Sequence, residues 1–178
     1  DTGFSYDGAD LEVLHTLSRY HDWVISEFEP YLGGVAAEIE AGLGSYSKRL
    51  LAKTTSLELI EPSPTLFPGL ARDFLGVTNV SLRNMTIEAW CAATPAETYD
   101  TILMINVLEH IEDDVAILQE LFRILKRGGR LLLFVPALEI LFRKLDRTFG
   151  HRRRYEYHDL KNKVSRAGFD ILRMRFFR

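Results

Sequence analysis

The sequence predicts an α/β fold: a doubly wound, mostly parallel sheet with helices on both faces. Three observations carry this. Short runs that are apolar almost throughout, 35–39, 56–60, 101–105 and 130–135, alternate with stretches of helical period. Continuously apolar strands are buried on both faces, as in a parallel sheet, and the intervening helices supply the cover. A glycine turn follows directly on the first run, where an open parallel sheet places its ligand crevice. The 178 residues give room for a single domain, 1–178, with one sizeable core.

Each element has a local reason. Leu11, Leu14, Leu17, Trp23, Val24 and Phe28 recur at helical spacing, which predicts an amphipathic helix over 11–28 within an N-terminal helical segment, 1–34. Pro30 and Gly33-Gly34 close it. The cofactor-binding core, 35–135, opens with a strand over 35–39, a turn over 42–45 and a helix over 46–53. A second strand covers 56–60, a helix interrupted by Pro68 covers 63–74, and a third strand covers 77–82. A linking loop over 93–98 leads to a fourth strand, 101–105. Asp113 or Asp114 can cap a helix whose Ile117, Leu118, Leu121, Phe122 and Leu125 form one face. Lys126-Arg127-Gly128-Gly129 reads as its end, because basic residues suit the negative terminus and glycine the left-handed cap. A fifth strand over 130–135 stops at Pro136. The remaining segment, 136–178, holds a substrate-side loop, a helix over 159–167 capped by Gly168, and the start of a strand over 169–176.

Composition excludes several classes. A net charge of −3 gives no whole-surface attraction to nucleic acid or anionic membrane, and no nucleic-acid partner is expected. The single cysteine, Cys91, can form no intrachain disulfide and seeds no zinc site, so no metal is expected and a reducing, cytoplasmic location is the simplest reading. The first ten residues are polar and acidic rather than a signal peptide, and no apolar run approaches the roughly 18 residues of a transmembrane segment.

The chemistry gathers at strand ends. Glu38-Ile39-Glu40-Ala41-Gly42-Leu43-Gly44 ends the first strand, and its glycines let the backbone approach a ligand closely. The second strand ends at Glu61, where an acid can accept hydrogen bonds from both hydroxyls of a ribose. A turn with a solvated Glu61 is the bland alternative. The fourth strand ends in Asn106-Val107-Leu108-Glu109-His110-Ile111.

These motifs, in this order and followed by a helix, Lys126-Arg127-Gly128-Gly129 and an apolar strand, resemble class I S-adenosylmethionine-dependent methyltransferases. The resemblance is strong over 35–135 and extends to about 176. It implies a Rossmann-like fold and S-adenosylmethionine as cofactor, with S-adenosylhomocysteine as product. By the resemblance, Glu38, Glu40, Gly42 and Gly44 surround the methionine end of the cofactor. Glu61 holds the ribose with Pro62 beside it, and Asn84, Met85 and Thr86 lie by the adenine. Asn106 offers its backbone carbonyl to the methionine amine, Val107 packs near it, and His110 stands at the mouth. The family sheet also carries a further antiparallel strand after the one near Phe169, so the resemblance implies an incomplete C-terminal hairpin here.

Two positions depart from the family pattern. Glu40 stands where the family has glycine; a positive φ there costs a non-glycine residue about 1–2 kcal/mol, and its charge opposes the cofactor's own carboxylate. Met85 stands where the family often has an acid, which leaves adenine recognition to backbone groups and apolar contact.

After the fifth strand, Arg143, Lys144, Arg147, Arg152, Arg153 and Arg154 crowd together, with His151 and Tyr155 among them. The run Asp146 to Tyr155 resembles one in methyltransferases of the type-11 and type-12 groups. Arg147, Arg153, Arg154 and Tyr155 are the candidate substrate-binding residues, since paired guanidinium bonds suit a carboxylate or phosphate. A solvated basic loop is the alternative. His151 and His110 are the candidate acid–base residues, whereas His15, His21 and His158 read as helix-surface or cap residues.

The expected activity is methyl transfer to a small-molecule acceptor, with anionic and sugar- or lipid-linked molecules as the candidate classes. The rival from another class is a non-catalytic binding or scaffold domain on the same fold, motivated by Glu40. A nicotinamide oxidoreductase requires a GxGxxG turn, and Glu40, Gly42 and Tyr46 occupy that frame.

Overall fold

The computed structural model describes residues 18–135 and 155–176. Five parallel strands form one sheet in the order β3-β2-β1-β4-β5. They are β1 (Val35–Ile39), β2 (Ser56–Ile60), β3 (Val80–Arg83), β4 (Tyr99–Ile105) and β5 (Leu125–Phe134). The helices are α1 (Ser18–Phe28), α2 (Ser47–Leu51), α3 (Phe67–Asp73), α4 (Ile87–Ala93), α5 (Asp114–Ile124) and α6 (Tyr157–Arg166). Strand order reverses between β1 and β4, so their carboxyl ends flank a crevice. This is the predicted Rossmann-like α/β architecture.

Side-chain alternation along the strands builds two cores. Ala36, Leu57, Leu59 and Leu103 face Ile25, Leu50 and Leu70 from α1, α2 and α3, and Phe74 directly after α3. Ala37, Ile39, Ile102 and Met104 face Trp90, Leu118 and Leu121 from α4 and α5. Each central strand is therefore covered on both sides, which is why its sequence is apolar without alternation.

Several elements differ from expectation. Pro68 does not interrupt a helix: α3 begins at Phe67 with Pro68 in its first turn, where an intrahelical N–H bond is not required. β3 starts at Val80 because 77–80 forms a turn, with the Val80 N–H donating to the Val77 carbonyl at 3.3 Å. Helix α4 was not anticipated; Thr86 caps it, its hydroxyl accepting from the Ala89 N–H at 3.3 Å. Helix α5 is capped by Asp113 and ends at Ile124, with Leu125 already extended. Lys126-Arg127-Gly128-Gly129 is thus not a helix cap. It is an irregularity within β5: Leu125 pairs with Tyr99 and Arg130 with Thr101, so four residues stand opposite Asp100 alone. Gly128 supplies the positive φ, 77°, that this excursion requires, and Lys126 pins it to Asp100 at 2.8 Å.

Residues 169–176 form no strand. Among the described residues they have no strand partner, and together with β5 they line a groove of about 390 Å³. Helix α6 begins two residues earlier than expected and is followed by Gly168 at φ 107°. His158 lies exposed on α6 as expected, but His21 is buried, its ring edge-on to Tyr46 at 4.7 Å. The predicted start of α1 and His15 lie outside the described residues.

Candidate functional site

The crevice begins where β1 turns away from the sheet. Glu40, Gly42 and Gly44 all take left-handed φ values, 55°, 58° and 76°. At Gly44 the requirement is also steric: a Cβ would stand 3.0 Å from the Phe74 ring and 3.1 Å from Leu70. The Ala41 N–H donates to the Ile60 carbonyl at 3.0 Å, which ties the turn to the end of β2.

Glu61 completes that tie. Its Oε2 accepts the Gly42 N–H at 2.7 Å and its Oε1 accepts the Ser63 N–H at 2.7 Å. Each carboxylate oxygen has two acceptor directions, so this geometry leaves capacity for two further donors, such as a vicinal diol. Burial raises the Glu61 pKa, and the two N–H donors oppose the shift. Glu38 is buried below the turn, where the Ser47 hydroxyl donates to its Oε2 at 2.6 Å. Burial pushes the Glu38 carboxyl up to about 8, with Ser47 opposing and Glu61 adding to the shift.

A cavity of about 260 Å³ lies over these strand ends. Glu40, Pro62, Thr86, Glu88, His110 and Glu112 line it, and Ile87 and Ile111 add apolar wall. The cavity thus brings together four predicted positions, Glu40, Pro62, Thr86 and His110. Burial pushes Glu40 up to about 8, and the Glu61 and Glu88 carboxylates push in the same direction. Beside them Glu109 is fully buried in a 3-10 turn, Leu108–His110. Its carboxyl also rises to about 8, from burial first and from Glu40 in addition.

Other predicted positions serve the frame. The Asn84 amide donates to the Glu61 carbonyl at 2.8 Å and to the Pro62 carbonyl at 3.3 Å, so it clamps the ends of β2 and β3 together. Met85 is partly buried against the α4–α5 core. Asn106 takes φ 54° at the end of β4, and its N–H donates to the Phe134 carbonyl at 2.8 Å. Val107 is buried, and its carbonyl accepts the His110 N–H at 2.9 Å.

Tyr155 differs most from its expected role. It is one of the largest fully buried side chains, not a surface contact for substrate. Its hydroxyl lies 2.8 Å from Asp114 Oδ2 and 3.2 Å from the Leu108 carbonyl, and Lys163 also reaches Asp114 at 2.8 Å. His151, Arg147, Arg153 and Arg154 lie outside the described residues. The sequence had not singled out Glu88 and Glu112 on the cavity wall, nor Glu109 as a buried charge. The available signal was the count of acids near strand ends, which does not say which of them point inward.

Among the described residues, no helix is long and apolar enough to cross a membrane, and no group of three His, Cys, Asp or Glu could hold a metal ion. No curated protein matches the chain. Solved structures do. A Leishmania major protein described as a SAM-dependent methyltransferase superposes with a TM-score of 0.73 at 19% identity, covering 90% of this chain and 68% of its own. The YcgJ protein of Bacillus subtilis gives 0.72 at 19% identity, covering 83% and 68%. Phosphoethanolamine N-methyltransferase 2 of Haemonchus contortus, in complex with phosphomonomethylethanolamine and S-adenosylhomocysteine, gives 0.71 at 14% identity, covering 85% and 37%. At these identities the likeness establishes the fold. The family rests on a sequence model described as a methyltransferase domain, which matches residues 25–173. The chain therefore belongs to the class I methyltransferase-domain family, whose cofactor is S-adenosylmethionine.

Proposed function

We propose that this chain is an active methyltransferase of the cytoplasm, acting on a small-molecule acceptor that carries an anionic group. The observation that carries the cofactor half of this reading is Glu61, whose carboxylate is held by two backbone N–H donors with acceptor capacity remaining. Such a group is preorganised for a ribose diol, because its orientation does not have to be fixed at the moment of binding. The left-handed turn at Gly42 and Gly44 keeps Cβ atoms out of the same approach.

When bound, S-adenosylmethionine supplies an electrophilic methyl group on a sulfonium. The chain's own task is to bind and orient. Glu61 and Pro62 hold the ribose side, Thr86 and Ile87 flank the adenine side, and the turn from Glu38 to Gly44 receives the methionine end. The lining carboxylates suit a cation, which is the fit expected for a sulfonium. His110, on the cavity wall, is placed to accept a proton from an acceptor hydroxyl. The anionic acceptor is supported by the sequence run carrying Arg147, Arg153 and Arg154, and by the phosphate-bearing ligand of the Haemonchus relative.

A second reading, a non-catalytic binding domain, is favoured by the Glu40 side chain within the cavity. Calorimetric titration with S-adenosylmethionine and S-adenosylhomocysteine separates the two. Active-enzyme binding is expected for the wild type, with Glu61→Ala weakening it at least tenfold. The absence of both heat and thermal shift with either ligand would overturn the enzyme reading. Restoration of binding by Glu40→Gly would then favour the non-catalytic one.

A further inference from the structure

Three carboxylates line the cavity: Glu40 from the turn after β1, Glu88 from the first turn of α4 and Glu112 from the segment after β4. Two buried acids outside the lining, Glu61 at the end of β2 and Glu109 in the Leu108–His110 turn, are near enough to interact with Glu40. Among the described residues, His110 is the one basic side chain on the wall and no lysine or arginine lines it. Of the acids, Glu61 is engaged by the Gly42 and Ser63 N–H groups. The charged groups acting on Glu40 are carboxylates, Glu61 and Glu88, and Glu40 acts in turn on Glu109. Glu40 is a half-buried carboxylate at a strained φ of 55°, it faces the cavity beside like charge, and no hydrogen bond or ion pair holds it among the described residues.

The ligand pair of this reaction differs in charge at one atom. S-adenosylmethionine carries a sulfonium. After the methyl group leaves, sulfur retains the electron pair and the product is a neutral thioether. Backbone contacts to ribose, adenine and the amino-acid end are common to both. Besides the methyl group itself, the charge on sulfur is what differs, and an electrostatic contact reads it.

We propose that Glu40 is a specificity-determining residue that makes the cleft select the cationic cofactor over its neutral product, so that S-adenosylhomocysteine leaves readily and inhibits weakly. This rests on the cofactor site described above. The glycine of the family pattern has no side chain with which to distinguish the two ligands. Glu40 does, because a carboxylate in a partly desolvated cavity attracts a cation far more strongly than it would in water. Carboxylate crowding also couples the choice to protons. Without ligand, burial first and the neighbouring acids second hold Glu40 protonated at neutral pH, and a cation favours the ionised form. Cofactor binding therefore releases a proton, whereas product binding does not.

Isothermal titration of the full chain with each ligand, in two buffers of different ionisation enthalpy, tests this directly. The wild type is expected to prefer S-adenosylmethionine at least tenfold, with proton release on cofactor binding alone and cofactor affinity rising from pH 6 to 8. Glu40→Gln keeps the shape without the charge, and its preference should fall to within about threefold of unity, with no proton release. Glu40→Gly removes the same charge and relieves the backbone, so it serves equally if the glutamine variant does not fold. Binding of both ligands with the wild-type ratio retained in the variants would overturn the proposal alone. A pH dependence that persists in Glu40→Gln would assign it to His110 or another acid and likewise overturn it. Wild type binding neither ligand while Glu40→Gly binds both would show a blocking side chain, and failure of every variant to bind would overturn the cofactor site itself.

Discussion

Tyr155 shows how far one side chain's role can lie from its sequence context. In the run His151-Arg152-Arg153-Arg154-Tyr155 it resembles a surface aromatic among cations. Its ring is instead buried, and its hydroxyl meets Asp114, a residue 41 positions earlier. That partner is invisible to any local pattern. Phenylalanine at 155 keeps the packing and removes the hydroxyl, leaving Asp114 with Lys163. We expect a loss of about 1–2 kcal/mol in urea unfolding with cofactor affinity unchanged. A substrate contact would behave in the opposite way, raising KM without altering stability. Glu61 was legible for the converse reason: the position of an acid at a strand end follows from the order of elements. The inward aim of Glu109, which depends on a single 3-10 turn, does not.

Among the elements, the apolar strands were read with small errors because burial on both faces writes itself into every residue. The short helix α4 escaped because its seven residues carry less than two turns of pattern. What secures it is tertiary. Glu58 of β2 accepts the Trp90 indole N–H of α4 at 2.9 Å, the Tyr99 hydroxyl of β4, and the Arg83 guanidinium of β3 at 2.9 Å. The link across β1 passes over Ala37, the register partner of Glu58, whose small side chain leaves the space. Burial alone would raise the Glu58 pKa, but these donors outweigh it and hold the carboxyl below its usual range. Replacing Glu58 with alanine orphans the Trp90 and Tyr99 donors together. The expected cost is about 2–3 kcal/mol in chemical denaturation, with Glu58→Gln losing less. The stretch 169–176 failed as a predicted strand for a different reason. Its apolar residues were read correctly, but strand formation is a property of the pair and not of the segment.

Across the whole molecule, the buried acids set the pH response. Glu38, Glu40 and Glu109 have folded-state pKa values raised to about 8. Between the ordinary carboxylate range and pH 8 the folded state therefore binds more protons than the unfolded chain. Stability then falls as pH rises through that window and levels above it. Glu58 and Asp100 shift the opposite way, so their contributions fade only at lower pH. We expect Tm to drop by several degrees from pH 5.5 to 8.5, and the slope to flatten in Glu109→Gln; a Tm that rises over this range would contradict the assignment. β1 is first in the sheet's sequence yet central in space, and it joins β4 through pairs such as Ala36 with Thr101. Contacts so distant along the chain close late in folding. The Gly42–Glu61 half of the crevice forms from neighbours 19 residues apart, while the half ending at His110 must wait for β4. The site is thus assembled in two instalments, and a growing or refolding chain can recognise its ligand only after the sheet has closed around its own beginning.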